Sequence, residues 1–160
     1  MKAKYFSLVV AFAMVALGAA TVGAHCEIPC GIYDDQLRAD LIAEHSTTIE
    51  KSMKKIVELS KQNPVNYNQL VRWISNKEKH ADEIQHIVTQ YFMTQRIKPA
   101  NEKYTAKLAT LHGILLSAMK AKQTVDVSHV ATLRGQIGKF SEMYFSAEDM
   151  KHFKEHHPVK

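Results

Sequence analysis

Residues 70–91, LVRWISNKEKHADEIQHIVTQY, place Leu70, Ile74, Lys77, Ala81, Ile84, Val88 and Tyr91 at alternating steps of four and three. That spacing returns to one face of an α-helix every two turns and forms a seam against antiparallel partner helices. Lys77 is the one charged member; its aliphatic stem can lie along the seam with the ammonium at the bundle edge.

The flanking sequence supplies the partners. Asp34 or Asp35 can cap a first helix running to about Ser60, with Leu37, Leu41, Ile49, Met53 and Ile56 at apolar positions. Gln62-Asn63-Pro64 ends it. Beyond the break at Lys98-Pro99, Tyr104, Leu108, Leu111, Leu115 and Ala118 repeat the spacing on a third helix. Asp126 or Ser128 can cap a fourth, with Val130, Leu133, Ile137, Phe140 and Tyr144 on its buried stripe. No Val/Ile/Thr alternation is long enough for a sheet. The pattern predicts an all-α fold, an up-and-down antiparallel four-helix bundle over about residues 34–147. Residues 148–160, with His152, His156 and His157, read as a polar, solvated tail.

Upstream of the bundle, Lys2 and Lys4 precede an uncharged, largely apolar run that closes with Thr21-Val22-Gly23-Ala24. Small residues at the third and first positions before His25 suit signal peptidase, so residues 1–24 read as a signal peptide. A run of about 20 residues also has the length of a spanning helix. Its last third, however, is rich in Gly, Ala and Thr rather than Leu or Ile. A lipoprotein box would need a small residue directly before the cysteine, where His25 stands.

Cleavage after Ala24 would leave 136 of the 160 residues, enough for one domain at 25–160 with its own core. It removes two lysines and no acid, so the formal charge falls from +5 to +3, with all nine histidines retained. A mildly basic chain without a dense Lys/Arg block does not indicate nucleic-acid binding. The expected product is exported, periplasmic or extracellular (lumenal in a eukaryote), without stable membrane association.

The cut exposes His25-Cys26-Glu27-Ile28-Pro29-Cys30-Gly31-Ile32-Tyr33, which holds both cysteines of the chain. One reading is a Cys26–Cys30 disulfide, but it would close a very short loop and constrain the unfolded chain little. The other is coordination by two thiolates together with the His25 amine, its imidazole and the Cys26 amide nitrogen. Tetragonal nitrogen and sulfur donors suit Ni(II) or Cu(II), whereas a structural zinc normally takes four side chains in a tetrahedron.

The nonapeptide resembles the N-terminal nickel hook, H-C-x-x-P-C-G-x-Y, of the nickel-containing superoxide dismutases. His25, Cys26, Pro29, Cys30, Gly31 and Tyr33 match its fixed positions. The resemblance extends more weakly along the chain, including Gln90-Tyr91-Phe92 and Lys98-Pro99. Glu27 stands where the family commonly has aspartate and Asp35 where it often has proline.

The resemblance implies an oxidoreductase that converts two superoxide anions to O2 and H2O2 by Ni(II)/Ni(III) cycling, with one nickel ion per subunit. It implies as metal ligands His25, Cys26 and Cys30, square-planar in Ni(II) through the His25 amine, the Cys26 amide nitrogen and both thiolates. The His25 imidazole would be added axially on oxidation. Tyr33, with its hydroxyl over the open face, would screen the anion or assist proton delivery, while Pro29 and Gly31 shape the turn. The family also implies a homohexamer. A secreted nickel- or copper-binding or trafficking bundle without turnover would share every ligand, and superoxide turnover by the nickel-loaded protein separates the two. Thiol counting separates a disulfide-bridged structural bundle.

Overall fold

The computed structural model describes residues 33–156. The described residues are helical throughout, with no strand: α1 Asp35–Ser60, α2 Tyr67–His86 running into a π-helical segment Ile87–Arg96, α3 Tyr104–Gln123, α4 Ser128–Tyr144 and α5 Ala147–His156. Short connections join α1 to α2, α2 to α3 and α3 to α4. Along α1–α4 each helix packs on its neighbour in sequence and α1 closes on α4, so these four form the expected bundle, while α5 packs against α1. Among the described residues no helix is long and apolar enough to cross a membrane.

Local chemistry sets the helix ends. The Asp34 carboxylate accepts from the Leu37 amide at 2.9 Å and starts α1, which leaves Asp35 available for a tertiary role. Asn66 caps α2 in the same way through the Gln69 amide, and the Asp126 carboxylate accepts from the Ser128 amide at the start of α4.

Ile49, Met53, Ile84, Val88, Leu111, Ile114, Val130 and Leu133 are buried at the centre of the bundle. Each such side chain stabilises the fold by roughly 1.5–3 kcal/mol relative to leaving it in water. Toward one end of the bundle, Phe92 packs edge-on against Tyr91, Phe140 and Tyr144, with ring centroids 5.0–5.5 Å apart.

Four details depart from the pattern read in the sequence. The α2 seam is buried from Lys77 to Tyr91, but Ile74 is 40% exposed. Ile74 joins Tyr67 and Val71 in an outward apolar stripe at the start of the helix. Lys77 does not reach the bundle edge either. It is buried, and its ammonium donates to the Ala121 carbonyl at 2.8 Å, to the Lys122 carbonyl and to Glu78 at 3.0 Å. It thereby satisfies carbonyls left open at the C-terminus of α3, where the helix dipole favours a cation.

On α3 the buried face is centred on Leu111, Ile114, Ala118 and Ala121, while Tyr104, Leu108 and Leu115 are only partly buried. Thr110 and Ser117 share that buried face because each has a hydrogen-bond partner, Thr110 through the Ala106 carbonyl and Ser117 through Gln136. Finally, the segment read as a polar tail begins as α5, and Met150 packs into the bundle core. The side chains of His152 and His156, and all of His157, lie outside the described residues.

Candidate functional site

The site read from the sequence falls mostly outside the described residues: His25, Cys26, Glu27, Ile28, Pro29, Cys30, Gly31 and Ile32 all precede them, as do residues 1–24, where a signal peptide is expected. Tyr33 is the first residue described and is 45% exposed. Asp34 and Asp35 follow it directly, so the hook is covalently continuous with the cap and first turn of α1. No group of three or more His, Cys, Asp or Glu side chains able to hold a metal occurs among the described residues. The donors that the nonapeptide carries in its sequence suit nickel on their own chemistry: two cysteine sulfurs and a histidine imidazole are soft and borderline ligands of the kind that select it.

Within the bundle, a side chain two residues beyond Tyr33 is held by a part-buried polar cluster. The Asp35 carboxylate accepts from the Tyr91 hydroxyl at 2.5 Å and the Tyr144 hydroxyl at 2.7 Å. It also accepts from Arg96 Nη2 at 2.6 Å and Nε at 3.0 Å. Arg38 lies over the Tyr91 ring, 5.2 Å from its centroid, and Lys107 over the Tyr144 ring at 5.5 Å. One carboxylate thus ties the first turn of α1 to the π-helical segment and to the end of α4.

The π winding explains how two of these donors meet. In an α-helix, residues five apart lie about 140° round the axis. In a π-helix the i to i+5 repeat stacks them. Tyr91 and Arg96 are five apart and both reach Asp35. Side chains hold the wide turn: Gln95 donates to the Gln90 carbonyl at 2.9 Å and Thr94 to the Thr89 carbonyl at 2.7 Å.

Burial alone would push the Asp35 carboxyl up, but hydrogen bonds from Arg96, Tyr91 and Tyr144 and the Arg96 charge outweigh it and hold the group below its ordinary 3.8. Burial and the Asp35 charge push the Tyr144 phenol up to about 12 and raise Tyr91 as well, so both remain neutral donors.

Sequence reading missed this cluster. Tyr91 and Tyr144 stood there as members of apolar stripes, Asp35 as an alternative cap, and Arg96 was not singled out. The signal available was the five-residue repeat Thr89/Thr94 and Gln90/Gln95.

Asp35→Asn should destabilise the fold by about 2–3 kcal/mol at neutral pH, because it leaves a part-buried guanidinium without its counter-charge and removes acceptor strength from the Tyr91 and Tyr144 hydroxyls. The folded carboxyl lies below its unfolded value, so the native contribution is complete above 3.8 and is lost as pH falls through the folded pKa. Denaturant unfolding from neutral pH into acid should show the difference between native and variant shrinking below about pH 4. A constant difference across that range would contradict the assignment.

With this geometry established, the family can be stated. A family model for nickel-containing superoxide dismutase matches residues 20–148. The chain belongs to that family. No curated protein and no solved structure gives a match. The matched span includes the hook residues, all four bundle helices, the π-helical segment and Asp35. As a nickel superoxide dismutase the protein is an oxidoreductase that acts on superoxide and uses nickel. Asp35, the carboxylate at the centre of the cluster, lies two residues beyond the nonapeptide that resembles the family's hook.

Proposed function

We propose that cleavage after Ala24 by signal peptidase makes His25 the N-terminus, and that the exported protein binds one nickel ion per chain. The observation that carries this reading is the set of six fixed hook positions, His25, Cys26, Pro29, Cys30, Gly31 and Tyr33, inside the span matched by the family. The His25 amine and imidazole, the Cys26 amide nitrogen and thiolate, and the Cys30 thiolate would hold the metal. Nickel held there would supply one-electron Ni(II)/Ni(III) chemistry, by which one superoxide would be oxidised to O2 and a second, with two protons, reduced to H2O2.

The chain's own residues make that exchange practicable. Anionic thiolates and a deprotonated amide put electron density on the metal and bring its potential within reach of superoxide. The imidazole provides a further nitrogen donor that the more oxidised metal needs. The Tyr33 hydroxyl can hold a proton or a water for the developing peroxide. Pro29 and Gly31 shape the turn that folds the two thiolates together.

A homohexamer, with neighbouring subunits over the hooks, accompanies this reading. Tyr67, Val71 and Ile74 are 71%, 58% and 40% exposed and lie at i, i+4 and i+7 on α2, while Leu116 and Met119 are exposed on α3. Such outward apolar side chains suit burial between subunits. The family match does not favour the non-enzymatic trafficking reading.

His25→Ala tests the redox role. The variant keeps the terminal amine, the amide nitrogen and both thiolates, so nickel content should stay near normal while superoxide turnover falls at least about tenfold. Both must be measured on one sample with cleavage after Ala24 verified. Unchanged turnover at equal nickel content would rule out the imidazole's role, and no turnover by the unmutated, nickel-loaded protein would overturn the enzymatic reading.

A further inference from the structure

Away from the Asp35 cluster, α1 and α2 bring together two histidines that the reading above does not use. Nδ1 of His45 lies 2.8 Å from Nδ1 of His80, with ring centroids 4.9 Å apart and planes inclined at 60°. The pair is partly buried, so its nitrogens are shielded from bulk water without being sealed from it. Glu83, one turn beyond His80, and Glu44, next to His45, add negative charge beside the rings. We propose that His45 and His80 form a second site, for a divalent transition-metal ion such as Ni(II) or Cu(II), clamping α1 to α2.

The spacing carries the argument. Imidazole nitrogens bind such ions at about 2.0–2.1 Å, so two of them at right angles on one ion are about 2.9 Å apart, and at a tetrahedral angle about 3.4 Å. The observed 2.8 Å is the length of the N–H···N hydrogen bond that the pair makes without an ion, and it lies close to the separation of adjacent positions in a tetragonal site, the geometry that Cu(II) and Ni(II) take with nitrogen and oxygen donors. The helices already hold the rings at the required separation. A turn of each ring about its Cβ–Cγ bond would aim both lone pairs at a point beside the N···N line, and water would complete the coordination.

The protons balance without an acid or base. In the ion-free pair one Nδ1–H donates to the other Nδ1. Ion binding takes both Nδ1 lone pairs, and the shared proton moves to Nε2 of the same ring, so each imidazole still carries one N–H. Burial, reinforced by the neighbouring ring, holds His45 below its ordinary range, which keeps its lone pair available at neutral pH.

The test uses the nickel-loaded, processed protein dialysed against excess free Ni(II), with nickel per chain counted before and after. The native protein should take up one further ion per chain. His45→Ala and His80→Gln should each weaken that uptake by roughly tenfold or more. Nickel held before dialysis and superoxide turnover should be unchanged in both variants, which separates failure of this proposal from failure of the hook assignment. Helical content by circular dichroism verifies that each variant is folded, and the glutamine variant retains a polar side chain at the α1–α2 contact. No further uptake by the native protein, or uptake that survives both substitutions, would overturn the proposal.

Discussion

Cys26→Ser and Cys30→Ser should each lose nickel-supported superoxide turnover by at least about a hundredfold, and the double variant should be little worse than either. A serine hydroxyl does not ionise at neutral pH as a metal-bound thiol does, so each substitution removes an anionic sulfur donor. With only one thiolate left, the ligand set neither holds nickel firmly nor lowers its potential enough to exchange electrons with superoxide. The two sulfurs therefore act as a unit, and removing the second costs little once the first is gone. Nickel per chain and superoxide turnover, measured together on the three variants with unchanged helical content, check this. A single variant that kept a substantial nickel-dependent rate would contradict it.

How far the protein is legible in its sequence depends on how local each feature is. The helices were readable because apolar spacing and capping residues act within a few positions: Asp34 bonds the amide three residues on, and the seam from Lys77 to Tyr91 is buried as its spacing requires. The hook reads clearly for the same reason, since every proposed donor lies within six residues. Ile74 follows the seam spacing yet faces outward, because periodicity assigns a face to a helix without saying how far along it the partner helix covers that face. Met150 gave no signal in a polar context, and only packing reveals its role.

The π-helical segment is invisible to a reading by threes and fours, because Val88 and Tyr91 continue the α-helical spacing into it. Asp35 meets Tyr91, Arg96 and Tyr144 across 56, 61 and 109 residues of chain, and His45 meets His80 across 35. Neither grouping has a local pattern. Both follow from how the helices pair.

An extra residue ahead of His25 should be as damaging as loss of a cysteine, although it changes no side chain. The added peptide bond converts the proposed terminal amine into an amide, which has no lone pair to give at neutral pH, and moves the free amine one residue away from the other proposed donors. Turnover should fall by at least about a hundredfold while helical content is retained, since α1 begins only at Asp35. The form tested must be verified by mass, because trimming back to His25 would restore activity. Full activity in a verified extended form would show that the amine is not a ligand.

The central claim is that processing creates the metal site, and it is tested most directly by N-terminal sequencing and metal analysis of one sample of the active, native protein. The account predicts a chain that begins at His25 and carries nickel. An active, nickel-bearing chain that begins at any other residue would contradict it.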